Sequence, residues 1–303
     1  RIMRIGVAAT PSVALPVLNW LASSSHELAC VITQPDRPSG RGQEISASPV
    51  AKWAIENGIH LLRPESPLEL VGHIEDFDCV ITIGYGILLP EEILTLPRQG
   101  FLNLHFSLLP AYRGAAPVQR AIEAGDSLSG VTVFALDEGM DTGPIFSTKR
   151  FALDDDITSD ELLLELADLG VEAVAEALQA ISDGKRPTAQ PNEGATKAAK
   201  ITKQECEIDW TQKSEVISQK IRAFTSTPGA WTRFRGETLK IDTVTSTNIS
   251  YEPGSIHILE KKLMVGTGST ALSIGFLTPA GKSRMDATAW INGARVTDGE
   301  YFG

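Results

Sequence analysis

The first half of the chain alternates short, uninterrupted apolar runs with segments of helical period. "RIGVAAT" (residues 4–10), "HELACVIT" (26–33), "DCVITIG" (78–84) and "GFLNLHFS" (100–107) lack the polar alternation of half-solvated strands. Continuous runs of this kind are expected where a sheet is covered on both faces. Between them, "SVALPVLNWLA" reads as a helix if Pro16 lies in its first turn, where no N–H is required. "SPVAKWAIENG" offers Ser48 as N-cap, Pro49 as first helical residue and Gly58 as stop. Strands alternating with helices predict right-handed parallel crossovers, and therefore an α/β domain with a doubly wound, mostly parallel sheet.

The pattern then changes. "SGVTVFALD" (129–137) and "GPIFSTKRFAL" (143–153) read as two strands joined by a short glycine-containing turn. A long helix is expected from about Thr158 to Ile181, with Thr158 and Glu161 at capping-box spacing and Leu162, Leu166 and Leu169 as its apolar stripe. "SDGKRPTAQPNEGATKAAK" (182–200) is a linker by composition. Beyond it, "SEVISQKIRAF" is an amphipathic helix with Ile217, Ile221 and Phe224 in register. Three strand-like stretches follow (232–246, 254–268, 271–285), broken by "RGE", "EKK" and "GTGST". They predict a small antiparallel β domain, a barrel. The expected organisation is thus an α/β domain over 1–184, a linker over 185–205 and a β domain over 206–303.

Composition narrows the class. The length of 303 residues suits about two domains, and 42% hydrophobic with 21% charged residues is ordinary globular usage. No apolar run approaches the ~20 residues of a membrane span. No segment reads as a signal peptide, so the expected location is cytoplasmic. The three cysteines (Cys30, Cys79, Cys206) have no Cys-x-x-Cys pair, and the five histidines have no metal-ligand spacing, so neither a disulfide framework nor a metal is expected. A net charge of −11 argues against non-specific nucleic-acid binding. Residues 206–303, with 11 basic and 10 acidic side chains, are far less anionic than the rest.

The fold class invites a nucleotide, but the first strand-to-helix turn, "GVAATPSVALP", has neither G-x-G-x-x-G nor G-K-[ST]. Chemistry is more visible in "NLHFSLLPAYRGAAP" (103–117). Asn103 and His105 stand at i and i+2 of a strand and so project from one face, at the strand end where open α/β sheets bind ligands. "LDEGMDTG" (136–143) places Asp141 on a glycine-rich turn, from which a carboxylate can orient an imidazole. An amide, an imidazole and a carboxylate supply an oxyanion donor, an acid/base and its orienting group. Ser107 lacks a G-x-S-x-G elbow, so direct transfer between two bound substrates suits the set better than covalent catalysis. A third feature, "TQPDRPSGRGQEISASP" (33–49), is a long connection whose Arg37 and Arg41 could meet phosphates.

Together, "NLHFSLLPAYRGAAPVQRAI" and "DEGMDTGPI" resemble the folate-dependent formyltransferases, whose signature joins N-x-H-x-S-L-L-P-x-x-R-G to D-x-G-x-D-T-G. "TQPDRPSGRG" looks like the inserted loop of the members that act on tRNA, and "YGILLP", "KITKQECEIDW", "RAFTSTPGAW" and "GTGST" extend the likeness over essentially the whole chain. The resemblance implies a Rossmann-like formyltransferase domain followed by an OB-like β-barrel domain that supports tRNA. It implies formyl transfer from 10-formyltetrahydrofolate to the α-amino group of methionyl-initiator tRNA, by direct attack through a tetrahedral intermediate, with no metal, in an enzyme acting as a monomer. Asn103, His105 and Asp141 would be the catalytic trio. Ser107, Leu108, Leu109 and Pro110, with Gly84 and Gly86 of "TIGYGILLP", would contact folate. Arg37 and Arg41 would contact tRNA. The loop continues "GRGQEIS" where some relatives carry lysines, leaving those two arginines as its main cations. The alternatives are a formyltransferase acting on a nucleotide sugar or other small amine, and a non-catalytic RNA-binding protein.

Overall fold

The structure, a computed structural model, describes residues 1–303. Its elements run in the expected alternation. Strand β1 (Arg4–Ala9) leads through a 3-10 turn into α1 (Leu15–Ser23), which carries Pro16 in its first turn. Then come β2 (Glu27–Ile32), a short hairpin of β3 (Arg37–Ser39) and β4 (Glu44–Ser46), α2 (Pro49–Glu56) and β5 (Leu61–Leu62). The Ser48 hydroxyl accepts the Ala51 N–H at 3.0 Å and so caps α2 as its sequence predicts. Next are β6 (Cys79–Ile83), α3 (Glu91–Leu94), β7 (Phe101–His105), β8 (Arg113–Gly114), α4 (Pro117–Glu123), β9 (Leu128–Ala135) and β10 (Ile145–Ala152). The long helix α5 (Ser159–Ser182) and the two-residue strand β11 (Lys197–Ala198) complete this part.

The chain divides into two compact units, each drawn from several stretches of sequence. The first comprises Arg1–Gly114, Leu128–Ala152 and Leu163–Ala198. Its seven-stranded sheet has the order β10-β9-β7-β6-β1-β2-β5. The five strands from β7 to β5 pair in parallel, while at one edge β9 pairs antiparallel with both β7 and β10. Strand order reverses at β1, between β2 and β6, so the carboxyl ends of β1, β6 and β7 open the crevice where such sheets take ligands. The apolar runs are sealed on both faces: Ile5, Val7, Ile32, Ile81 and Leu102 are fully buried. At ~1.5–3 kcal/mol for each such side chain, this burial is what holds the sheet together. Ser147 of β10 donates to the Ala173 carbonyl of α5 at 2.6 Å, a buried polar tie between strand and helix.

The second unit comprises Ala115–Ser127, Leu153–Leu162 and Ala199–Gly303. Helix α6 (Ser214–Ala223) packs against α4. The strands are β12 (Ala230–Phe234), β13 (Glu237–Ser246), β14 (Ile256–Leu259), β15 (Lys262–Val265), β16 (Leu272–Pro279) and β17 (Met285–Asp286), followed by α7 (Ala287–Ala294). They form an antiparallel sheet, β12-β13-β16-β15-β14, with β17 on β16. All three expected strand-like stretches are therefore hairpins, the first two turning at "RGE" and "EKK" and the third pairing β16 with β17. The C-terminal tail bonds both outer strands: Ile256 donates to the Glu300 carbonyl, and Gly303 donates to the Arg233 carbonyl. Inside, Trp210 stacks on Phe302 and Phe234 meets Trp290 edge-on.

The segment expected to link two domains over 185–205 is divided between the units, to Ala198 in the first and from Ala199 in the second. Its first part is bonded into the first unit. Thr188 exchanges backbone hydrogen bonds with Ile145, and β11 pairs with β8.

Candidate active site

Asn103 and His105 lie on β7 as the i, i+2 spacing requires, and antiparallel pairing sets them opposite Phe134 and Thr132 of β9. On the other side Asn103 is in register with Thr82 of β6 and donates its amide to the Thr82 hydroxyl at 2.7 Å. Thr82 spends its own hydrogen on the Leu102 carbonyl, so its oxygen can only accept. That fixes which end of the Asn103 amide faces Thr82, and leaves the second N–H and the carbonyl oxygen without a partner in the chain.

His105 is 7% exposed. Its Nε2 donates to the Tyr112 carbonyl at 2.8 Å, and because a carbonyl has no hydrogen to give, this contact fixes the tautomer. Its Nδ1 faces Asp141 Oδ2 at 3.7 Å, longer than a hydrogen bond. The hydrogen bond to that carboxylate oxygen comes instead from the Gly114 N–H, at 2.8 Å. Burial lowers the His105 pKa, against the opposing pull of Asp141 and of the Tyr112 carbonyl. The resting ring is neutral, and an imidazole lone pair faces a carboxylate across a gap that one proton would bridge.

Two loops bring the partners in. In the first, the Ser107 hydroxyl donates to the Ala111 carbonyl at 2.6 Å, while buried Thr132 donates to the Ser107 carbonyl and accepts the Leu109 N–H. Ser107 is buried, Leu108 and Pro110 are half-buried, and the chain turns so that Tyr112 (φ 59°) presents its carbonyl to the imidazole. In the second loop, the Asp137 carboxylate accepts both the Gly139 N–H and the Thr142 hydroxyl. Asp141 takes φ 56°, which swings its carboxylate toward Gly114. Gly143 follows because its backbone lies against the Ala135 carbonyl, where a Cβ would sit 1.6 Å from the oxygen. The D-x-G-x-D-T-G pattern is thus a self-bonded turn that delivers one carboxylate.

The other sequence-selected residues lie apart from the trio. Gly84 (φ 57°) and Gly86 (φ 81°) form the turn after β6, over which Pro11 and Gln34 pack closely. The Tyr85 carbonyl between them accepts from Thr10 and from Gln34. Gln34 in turn accepts from Arg37 Nε at 2.9 Å, so Arg37 is tied to that turn, while Arg41 stands exposed at the hairpin tip. Sequence reasoning missed Thr82, the Tyr112 carbonyl, Thr132, Gln190 and Thr196. Thr82 and Thr132 alone left a trace, each as a polar residue in an apolar run.

A family model described as Formyl transferase matches residues 3–178, and one described as Formyl transferase, C-terminal domain, matches residues 200–295. The chain belongs to the formyl transferase family. It is 42% identical to the methionyl-tRNA formyltransferase of Salinispora tropica, over 98% of this chain and 99% of that protein. It is 43% identical to the methionyl-tRNA formyltransferase of Streptomyces coelicolor, over 99% and 100%. Among solved structures, an N-formyltransferase from Helicobacter canadensis, in complex with folinic acid and dTDP-3-aminofucose, superposes with TM-score 0.69 at 19% identity, over 92% of this chain and 100% of that one. HypX from Aquifex aeolicus in complex with tetrahydrofolic acid gives TM-score 0.68 at 19% identity, over 96% of this chain and 47% of that one. These two likenesses concern the fold. No helix is long and apolar enough to cross a membrane, and no group of three or more His, Cys, Asp or Glu is placed to hold a metal ion.

Proposed function

We propose that this protein transfers the formyl group of 10-formyltetrahydrofolate to the α-amino group of methionyl-initiator tRNA, working as a cytoplasmic monomer. The observation that carries the reaction type is the convergence of Asn103, His105 and Asp141 at the carboxyl end of β7. The acceptor is supported by two relatives of that activity, alike over nearly their whole length.

The residues divide the work as follows. The free Asn103 N–H, its amide held by Thr82, donates to the formyl oxygen as the amine adds to the formyl carbon and that oxygen becomes negative. Neutral His105 and Asp141 together receive the proton lost by the amine. Held between Nδ1 and Oδ2, it converts the 3.7 Å contact into a charge-assisted hydrogen bond, and the imidazolium then supports the oxyanion. The same pair returns the proton to the departing nitrogen as the tetrahedral carbon collapses, so the set ends as it began. The folate is proposed to lie between the Gly84–Gly86 turn and Ser107–Pro110, which close the ends of adjacent strands β6 and β7. Ser107 contributes there by shaping the turn, since its hydroxyl donates to the Ala111 carbonyl and its own carbonyl accepts from Thr132. Arg37 and Arg41, on the exposed hairpin, would meet tRNA phosphates.

The test is formyl transfer to methionyl-initiator tRNA beside a dTDP-amino sugar, for the wild type and Asn103→Ala. Wild type should formylate the tRNA, and the variant should lose ~10²–10³ in kcat with folate binding retained. Transfer to the amino sugar alone would overturn the acceptor. Parallel loss of folding and activity in Asn103→Ala would overturn the role of the amide.

A further inference from the structure

Residues Thr188–Ala198, read from sequence as linker, lie across both loops that serve His105. Within this strap two side chains make bonds that a spacer does not need. Gln190 donates from Nε2 to the Asp141 carbonyl (2.9 Å) and to the Gly143 carbonyl (2.8 Å), and accepts through Oε1 from Arg113 Nη2 (2.7 Å). The Thr196 hydroxyl accepts the Tyr112 N–H at 2.8 Å, and its backbone bonds Arg113 and Pro110. The amide orientation of Gln190 is unambiguous, because arginine can only donate and the two carbonyls can only accept.

The residues held this way are the two that serve the imidazole. Tyr112 gives its carbonyl to Nε2, and Asp141 sets its carboxylate before Nδ1. Both have positive φ, 59° and 56°, a conformation that L residues keep only when the surroundings impose it. Each is gripped by its own peptide group: Thr196 holds the N–H of Tyr112, and Gln190 holds the carbonyl of Asp141. The strap approaches so closely that a Cβ at Gly114 would lie 2.7 Å from the Ala198 carbonyl.

We infer that the Thr188–Ala198 strap is a working part of the active site, in which Gln190 and Thr196 are positioning residues that hold Asp141 and Tyr112 in register with the two ring nitrogens of His105. Neither side chain bonds the imidazole itself; both act through the residues that do. The inference rests on the transfer reaction proposed above, and it accounts for both polar side chains with one task.

The experiment compares Gln190→Glu, Thr196→Val and Thr196→Ser with wild type, measuring kcat, both KM values, melting temperature and the ¹⁵N signals of the His105 ring. Gln190→Glu keeps the shape and the Arg113 contact but has no N–H for the two carbonyls. Displacing a catalytic group by ~1 Å can lose ~10² in rate, so Gln190→Glu and Thr196→Val should fall by roughly 10- to 100-fold in kcat with both KM values within about twofold. Thr196→Ser, which restores the hydroxyl, should recover most of kcat, and the His105 signals should move in the two impaired variants only. Unchanged kcat and unchanged ring signals in folded variants would overturn the inference. Should wild type transfer no formyl group to any acceptor, the proposed function fails, and the ring signals still decide whether the strap positions His105.

Discussion

His105 sits between a carbonyl and a carboxylate, and the carbonyl decides its state. Because Nε2 must give its hydrogen to Tyr112, a neutral ring presents a bare Nδ1, and burial keeps the ring neutral. Lowering of the folded-state pKa fixes the sign of two effects. Catalysis that needs neutral His105 should persist as pH falls to the ordinary imidazole value of 6.5 and decline only below it. In the same window the unfolded chain binds a proton that the folded chain refuses, so this residue subtracts stability as pH falls through 6.5. The acid limb of kcat/KM for the free enzyme is the measurement; a limb above 6.5 would mean that Asp141 outweighs burial. The placement of Asn103, His105 and Asp141 was legible in sequence because residue type, strand spacing and a glycine-rich turn each left a mark. The Tyr112 carbonyl was not, since a backbone group has no letter of its own, and Gln190 stands in a stretch whose composition says only linker.

Helices and strands were more legible than the groups between them. Continuous apolar runs located every long strand of the parallel sheet, and Ser48 and Pro49 placed the start of α2 to the residue. In α5, Thr158 and Glu161 form the reciprocal cap expected from their spacing, with the Glu161 N–H on the Thr158 hydroxyl and the Thr158 N–H on the Glu161 carboxylate. Leu162 and Leu166 are fully buried, whereas Leu169 is only half-buried at the edge of the stripe. Leu166→Ala should lower unfolding free energy by ~2–5 kcal/mol, and Thr158→Ala by ~0.5–2 kcal/mol. Denaturant titration of the two variants checks this order, and a larger loss from the cap than from the core would contradict it. Helix α7 went unread because "ATAWINGA" is too short and too mixed to show a period, and its cap, Asp286, closes a strand. The hairpin turns of the β domain were legible as the polar breaks "RGE" and "EKK", and the paired strands turn at both.

Across the whole molecule, the two units are not consecutive in sequence, and no composition shift announces it. The chain enters the second unit at Ala115, leaves at Leu128, returns at Leu153, leaves at Leu163 and returns for good at Ala199. Residues 199–303 alone therefore lack α4, against which α6 packs, and that fragment should be less stable than its length suggests. The same threading has a consequence for breakage. A protease that cuts once at Ala199–Glu205 severs only the last of these five passages, and the two pieces remain tied through Ala115–Ser127 and Leu153–Leu162, segments of the upstream piece that belong to the second unit. The nicked protein should migrate as one body on a native sizing column and as two chains after denaturation. Separation without denaturant would show that those two segments do not hold. A cut in what reads as a tether would then leave a split enzyme rather than two domains.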